Sequence, residues 1–246
     1  MCIKISIVSA FYNVGKDVVN VIESVLSQSY DNFEYCIVDG KSCDDTVKYI
    51  DPYLQDKKIK FISEKDNSIG EAWNKGLKFC SGDLVIFLGA GDLLTRDCLV
   101  DVANAYKIED YKKKVIMVGA CQRKYNGDDY RRVFRRYIRA LRPISLRFWF
   151  PACVIPLDLF DVVGEFDEHK KVAVDTDWLI RAIKHNVNFS YHDKDFVEME
   201  AGGMSDKLWS CGYHEYLKSL RDNGLNNIYD EVVSYLYRGY KKYIYK

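Results

Sequence analysis

The sequence predicts an α/β fold: a single, mostly parallel sheet flanked by helices, with an elaborated second half and C-terminal helices. Three observations predict it. Four short apolar runs in the first hundred residues each give way to a helical pattern, and this alternation makes a parallel sheet covered on both faces. Polar residues, glycines and carboxylates gather just after each run. The chain of 246 residues is 48% hydrophobic and 29% charged, enough to bury a sizeable core and too apolar for disorder.

The elements follow in order. "IKISIVSA" is a β-branched strand, and Val18, Val21, Ile22, Val25 and Leu26 then recur at helical spacing. "FEYCIVD" is a second strand, with the helix "DDTVKYIDPYL" behind a start signal at Ser42. "KIKFISE" is a third strand. Ser68 and Glu71 stand in capping-box spacing and open the helix "SIGEAWNKGLKFC". "DLVIFLG" is a fourth strand, and Thr95 is placed to cap "RDCLVDVANAY". Beyond residue 114 the pattern changes. "VIMVGACQRKY" reads as a strand, "NGDD" as a turn and "YRRVFRRY" as a hairpin partner. "VDTDWLIRAIKH" is helical, "VNFSYH" a strand, and helices follow near 210–222 and 227–243.

Composition excludes several classes. The 36 basic and 36 acidic side chains balance, so a globally basic nucleic-acid binder is not indicated. Their distribution is uneven: residues 101–150 carry 13 basic and 5 acidic side chains, while residues 151–210 carry 6 and 12. The eight cysteines form no C-x-x-C pair and several lie in apolar runs, which reads as free thiols in a reducing compartment. The start lacks a signal-peptide pattern and no stretch is long and apolar enough for a membrane span, so the expected location is cytoplasmic.

In open α/β sheets ligands bind at the carboxyl ends of the strands. The four ends here are "SAFYN", "VDGKSCDDT" with Asp39, "SEKDNSIGEAWNKG", and "FLGAGD" with Asp92. Taken singly, each has an ordinary reading. Asp39–Gly40 could be a plain turn, and "GAGD" a loop leading into a helix. Four coincident ends make a site pattern. A G-x-G-x-x-G after the first strand and a P-loop are both absent from the sequence.

These residues resemble a known family. "ISIVSAFYNVGKDVVNVIESVLSQSYDNFEYCIVDGKSCDDT", "SEKDNSIGEAWNKGLKFCSGDLVIFLGAGDLL" and "AVDTDWLIR" are similar to the family 2 inverting nucleotide-sugar glycosyltransferases, over roughly residues 3–205. The resemblance is to bacterial enzymes of O-antigen, capsule and other surface polysaccharide synthesis. It implies the GT-A fold, a single Rossmann-like, mostly parallel sheet. The implied organisation is a transferase domain over 1–205, with a nucleotide-sugar half at 1–110 and an acceptor-side half at 111–205, followed by a helical extension at 206–246.

The resemblance also implies roles. Ala10, Phe11, Tyr12 and Asn13 match the loop that packs on base and ribose, and Asp39 matches the aspartate that hydrogen-bonds the base. Asp66 and Asn74 fall in the segment lining nucleoside and donor sugar. Gly91 and Asp92 match the end of the D-x-D-type metal motif, reduced here to Gly89-Ala90-Gly91-Asp92 with one carboxylate. One carboxylate with diphosphate oxygens and water can still hold Mg²⁺ or Mn²⁺. Asp175 matches the general base, followed by Trp178 and Arg181; the ordinary alternative for Asp175 is a helix N-cap. Asp177 lies two residues on and points elsewhere on the helix. "AGGMSD" resembles a loop over the diphosphate, with Ser205 in reach, and Phe166 reads as core.

The expected partners are a nucleotide-sugar donor, UDP-linked, and a lipid-linked saccharide acceptor, with no nucleic acid. Seven arginines in 131–147 and the Tyr-, Lys- and Arg-rich tail suggest peripheral contact with an anionic membrane on the inner face of the plasma membrane; a solvated charged face is the plain alternative. Two other functions stay open from sequence: a catalytically silent sugar-nucleotide-binding protein, and a nucleotidyltransferase, although "SAFYNVGKD" lacks that class's Gly-rich basic loop.

Overall fold

The computed structural model describes residues 3–110, 112, 114–125, 128–132, 149–200 and 202–225. Its core is a sheet of nine strands among those residues. β1 (Ile5–Phe11), β2 (Phe33–Asp39), β3 (Ile59–Ser63) and β4 (Leu84–Leu88) are parallel, in the spatial order β3-β2-β1-β4. Beyond β4 the sheet continues through β8 (Cys153–Pro156), β6 (Val115–Tyr125), β9 (Asn188–Glu200) and β5 (Asp92–Leu94), with β7 (Asp128–Arg132) paired to β6. β8 runs antiparallel to both β4 and β6 and joins the two halves.

The strands alternate into two apolar layers. Ile5, Ile7, Tyr35, Ile37, Leu84 and Ile86 face one layer, with α1 (Val18–Leu26) and α4 (Cys98–Ile108) over it. Val8, Cys36, Val85 and Phe87 face the other, under α3 (Ile69–Leu77), α5 (Leu159–Val163) and α6 (Val174–Lys184). All seven residues of β2 are buried, which is why its sequence reads as a continuous rather than alternating apolar run. α1 buries Val18, Val21, Ile22 and Val25, the face expected from their spacing.

Three helix starts test the sequence signals. Ser68 caps α3 by accepting the Glu71 amide at 3.2 Å. The other two signals fail locally. α2 (Thr46–Ile50) starts after Asp45, and Ser42 instead accepts the Asn13 amide. The Thr95 hydroxyl donates to the Asp195 carbonyl on β9, while the Leu99 amide of α4 donates to the Gln28 side chain, 71 residues away. In both cases a partner from another element wins over the local one.

The hairpin of β6 and β7 forms, with β7 beginning at Asp128 inside the segment read as turn. The two short strands β5 and β8 had no clear sequence pattern, and β9 extends well beyond "VNFSYH". Past residue 203 the chain forms α7 (Met204–Lys207) and α8 (Trp209–Asp222), and α8 packs on α6 through Ile180, Tyr216 and Leu220. The rest of the basic segment after Arg132, up to residue 148, and the helix expected at 227–243 lie outside the described residues. Among the described residues no helix is long and apolar enough to cross a membrane.

Candidate functional site

Strand register sets the rim of the site. Phe11 lies opposite Asp39, Asp39 opposite Ser63, and Ser9 opposite Leu88, so the four parallel strands end together. The loops after β1 and β2 are sewn to each other. Asn13 and Lys41 both adopt left-handed backbone, at φ 51° and 67°. The Asn13 amide donates to Ser42 Oγ at 2.9 Å, and the Cys43 amide donates to Asn13 Oδ1 at 2.9 Å. The amides of Val14 and Gly15 both donate to the Thr46 hydroxyl.

The strand-end residues divide by exposure. Phe11 is 2% exposed and lies in the α1-side core, because it shares a strand face with Ile5 and Ile7. Its ring is therefore part of the core. Ala10 is half-buried against the other layer. Tyr12 stands 63% exposed. Asp39 is fully buried: its carboxylate accepts the Ser42 amide and, at 2.7 Å, the Ser63 hydroxyl. In this structure Asp39 thus shapes the loop around Gly40 and presents no open face.

Asp66 sits beside that loop. A Cβ at Gly40 would lie 2.5 Å from Asp66 Oδ2 and 3.3 Å from Tyr12 Cδ2, so the missing side chain lets the carboxylate and the ring approach. Burial pushes the Asp66 carboxyl up; Lys75 opposes this, while the charges of Glu71 and Asp39 add to it. Asn74 is turned inward. Its amide donates to the Phe166 carbonyl and Glu168 Oε1 and accepts the Phe166 N–H, so it clips α3 to the 166–168 loop. Its side chain bonds that loop through both its nitrogen and its oxygen.

After β4, Asp92 folds back on its own turn and accepts the Gly89 amide at 2.7 Å. Gly91 is exposed, and its carbonyl accepts the Glu200 amide at the end of β9. Among the described residues no three metal-ligating side chains gather into a cage. Asp92 itself is buried, and Gly89 and Ala90 are half-buried beside the exposed Gly91. A single carboxylate fits a cation of the Mg²⁺ type, which takes one or two carboxylates together with substrate phosphates.

Asp175 arrives from the other half. β8 runs antiparallel to β4, with Val85 opposite Ile155, so the Cys153 end of β8 lies toward the carboxyl end of β4. A Cβ at Gly70, in the first turn of α3, would lie 3.3 Å from Val174 Cγ1, so the start of α6 lies beside the start of α3, the helix that follows the carboxyl end of β3. Asp175 occupies the first turn of α6, whose N-cap is Ala173, so Asp175 is not the cap residue. Burial pushes its carboxyl above the ordinary carboxylate range, against the Thr176 amide and hydroxyl that bond it. A carboxylate so raised is a stronger base.

Its neighbours are structural. Asp177 is buried and pairs with Arg181 Nε at 3.0 Å and Lys170 Nζ at 3.4 Å. Arg181 also donates to the carbonyls of Val163 and Glu165, and the buried Trp178 donates to that of Gly164. Phe166 is buried core, as expected. Ser205 is exposed on α7.

A cavity of about 510 Å³ opens elsewhere, at the start of β4, lined among others by Gly82, Asp83, Leu157 and Asp158. None of the site residues expected from the sequence lines it. Two groups near the rim were not foreseen: Glu200 beside Gly91, and Glu215 of α8, which accepts the amides of residues 171–173. Their only sequence signal is a polar position on a half-buried element; their partners lie more than 40 residues away.

Comparison with known proteins agrees with this fold. The family model described as "Glycosyl transferase family 2" matches residues 6–156. A chondroitin synthase from Escherichia coli is 34% identical over 96 residues, 39% of this chain and 14% of that protein. A poly-beta-1,6-N-acetyl-D-glucosamine synthase from Staphylococcus epidermidis is 33% identical over 110 residues, 44% of this chain and 26% of that protein. The chain thus spans only a small part of these relatives. S. aureus TarS in complex with UDP-GlcNAc superposes with a TM-score of 0.72 at 20% identity, over 94% of this chain and 69% of that one. A mannosyltransferase from Pyrobaculum calidifontis, in complex with GDP-Man and Mn²⁺, superposes at 0.68 and 13% identity, over 96% and 70%. The shared architecture is the GT-A fold.

Proposed function

Because the chain belongs to glycosyl transferase family 2, we propose that it is an inverting glycosyltransferase that moves a hexosyl or N-acetylhexosaminyl unit from a UDP-sugar to a lipid-linked saccharide in surface polysaccharide synthesis. The observation that carries this reading is the common rim. The loops after β1 and β2, the Gly-rich turn with Asp92 and the half-buried Asp175 at the start of α6 all lie toward the carboxyl ends of the parallel strands.

On this reading the nucleoside lies against Tyr12 and Asp66, over the loop that Asn13 and Asp39 hold in place. Asp175 takes the proton of the acceptor hydroxyl as its oxygen bonds to the anomeric carbon; the bond from that carbon to the phosphate oxygen breaks, and UDP leaves with the electron pair. Asp92, with the diphosphate, would hold Mg²⁺ or Mn²⁺, which supplies positive charge to the departing diphosphate when bound. The setting that goes with a lipid-linked acceptor is the cytoplasmic side of the membrane, supported by the seven arginines of 131–147 in the sequence.

The test is a thermal-shift screen of UDP-, GDP- and dTDP-sugars with Mn²⁺, followed by release of the nucleoside diphosphate from the donor selected. Asp175→Asn is expected to lose turnover by about 100-fold or more while UDP affinity by calorimetry stays within about twofold. Asp92→Ala is expected to abolish Mn²⁺-dependent release. Donor binding without any turnover in the unaltered chain would instead favour a silent sugar-nucleotide-binding protein, the reading to which the single-acid turn lends itself.

A further inference from the structure

α8 lies beyond the residues matched by the family model, yet it holds the chain on both sides of Asp175. On the N-terminal side, Glu215 Oε1 accepts the Lys171 amide at 2.8 Å, and Oε2 accepts the amides of Val172 and Ala173, each at 2.9 Å. On the C-terminal side, Ser219 donates to Asp177 Oδ1 at 2.6 Å, and it also accepts from Lys170 Nζ of the preceding loop at 2.7 Å. Close approach is permitted by Gly212, where a Cβ would lie 2.8 Å from Val172 Cγ1.

These contacts are unequal. Three convergent amides around one carboxylate make a fixed anion nest, and charge-assisted bonds of this kind are stronger and more directional than neutral ones. Burial of Glu215 works against its charge, but the amides of Ala173, Lys171 and Val172 and the charge of Lys170 hold it ionised, below the usual range. α6 has no side-chain cap of its own. The three preceding amides are taken by Glu215, and the Asp175 carboxylate accepts the amide and hydroxyl of Thr176. The groups charged or titratable around this turn are Cys153 on β8, Asp177 on α6, Lys170 in the preceding loop and Glu215 on α8.

We propose that Glu215 is a positioning residue for Asp175: from α8 it gathers the amides ahead of α6 and so fixes where the first turn presents the Asp175 carboxylate. The proposal rests on Asp175 being the base. It makes the C-terminal helix part of the catalytic apparatus without contact to substrate. A misplacement of about 1 Å in a reacting group is enough to cost on the order of 100-fold in rate.

The experiment uses the whole chain with Mn²⁺ and UDP-N-acetylglucosamine, water serving as acceptor, and reads UDP release, UDP affinity and backbone hydrogen exchange. Glu215→Gln keeps the size but replaces an acceptor oxygen with an NH₂ that faces donors. It is expected to lower kcat by about tenfold or more, leave KM and UDP affinity within about twofold, and speed exchange at residues 171–173. Glu34→Gln, at the far end of the sheet where Glu34 bonds Lys4 and Lys60, is the control for lost thermal stability and is expected to keep kcat within about threefold. Equal loss of kcat in both variants would reduce Glu215 to general stability and overturn the proposal, as would unchanged exchange at 171–173. Asp175→Asn, run alongside, separates the two ideas. If it retains turnover, the base assignment fails and takes the positioning role with it. If it is inactive while Glu215→Gln turns over normally, the positioning role alone is wrong.

Discussion

Burial does opposite things to function and stability at Asp175. Half-buried in the first turn of α6, its carboxyl is pushed up by burial, so it holds its proton to a higher pH than an ordinary aspartate. A base must be ionised to work. The acid limb of kcat for UDP release is therefore expected above the ordinary Asp value of about 3.9, with activity lost as pH falls through it. For stability the sign reverses. A carboxyl raised in the folded state is better tolerated protonated, so at neutral pH its charge opposes folding. Asp175→Asn should accordingly melt at the same temperature as the unaltered chain or higher, measured at pH 7. A marked drop would show that the carboxylate is structural. Phe11 and Tyr12 make the complementary point: adjacent aromatics on a strand end point to opposite sides, and only Tyr12 is exposed.

At the scale of elements, the position of α3 is set by what it lacks. A Cβ on Gly76 would lie 2.4 Å from Val8 Cγ1 on β1, so the glycine lets the helix lie against the strand that ends at the rim. Alanine in a helix is favoured over glycine by about 1 kcal/mol. Overpacking a tight core costs about 1–3 kcal/mol. Gly76→Ala is therefore expected to destabilise by up to about 2 kcal/mol in denaturant unfolding, the clash outweighing the propensity gain. Adding Val8→Ala should recover the clash term, although it leaves its own cavity. Additive losses in the double variant would mean that the two side chains do not meet. The same helix carries Asn74, so its seating also places the 166–168 loop.

For the molecule as a whole, the end of the sheet away from the rim is anchored by a buried carboxylate. Glu34 accepts from Lys4 Nζ at 2.6 Å, Lys60 Nζ at 2.8 Å, Ser6 Oγ at 2.7 Å and the Ser81 amide, joining β1, β2, β3 and the turn before β4. Burial alone would raise its pKa, but Lys4, Lys60 and these hydrogen bonds bring it down to about 2. A depressed carboxylate stabilises the fold above its unfolded pKa, and that stabilisation is lost as pH falls toward 2. The full shift corresponds to about 3 kcal/mol; with both lysines partly exposed, about 2 kcal/mol is the expected share. Glu34→Gln should flatten the fall in unfolding free energy between about pH 5 and pH 2 by that amount. Parallel pH curves for the two proteins would contradict the anchor.

Periodicity and strand-end chemistry were legible in the chain itself. The first four strands, α1, the Ser68 cap and the strand ends that carry Asp39 and Asp92 follow from patterns with near neighbours in sequence. Those patterns are local because hydrogen bonding in helices and side-chain alternation in strands repeat every few residues. What needed the tertiary structure were pairings across long separations. They include the antiparallel β8 that joins the halves, the inward turn of Phe11 and Asn74, and the capture of amides 171–173 by Glu215. A polar side chain of that kind carries no mark of its partner, since the bond depends on two distant segments arriving at one place.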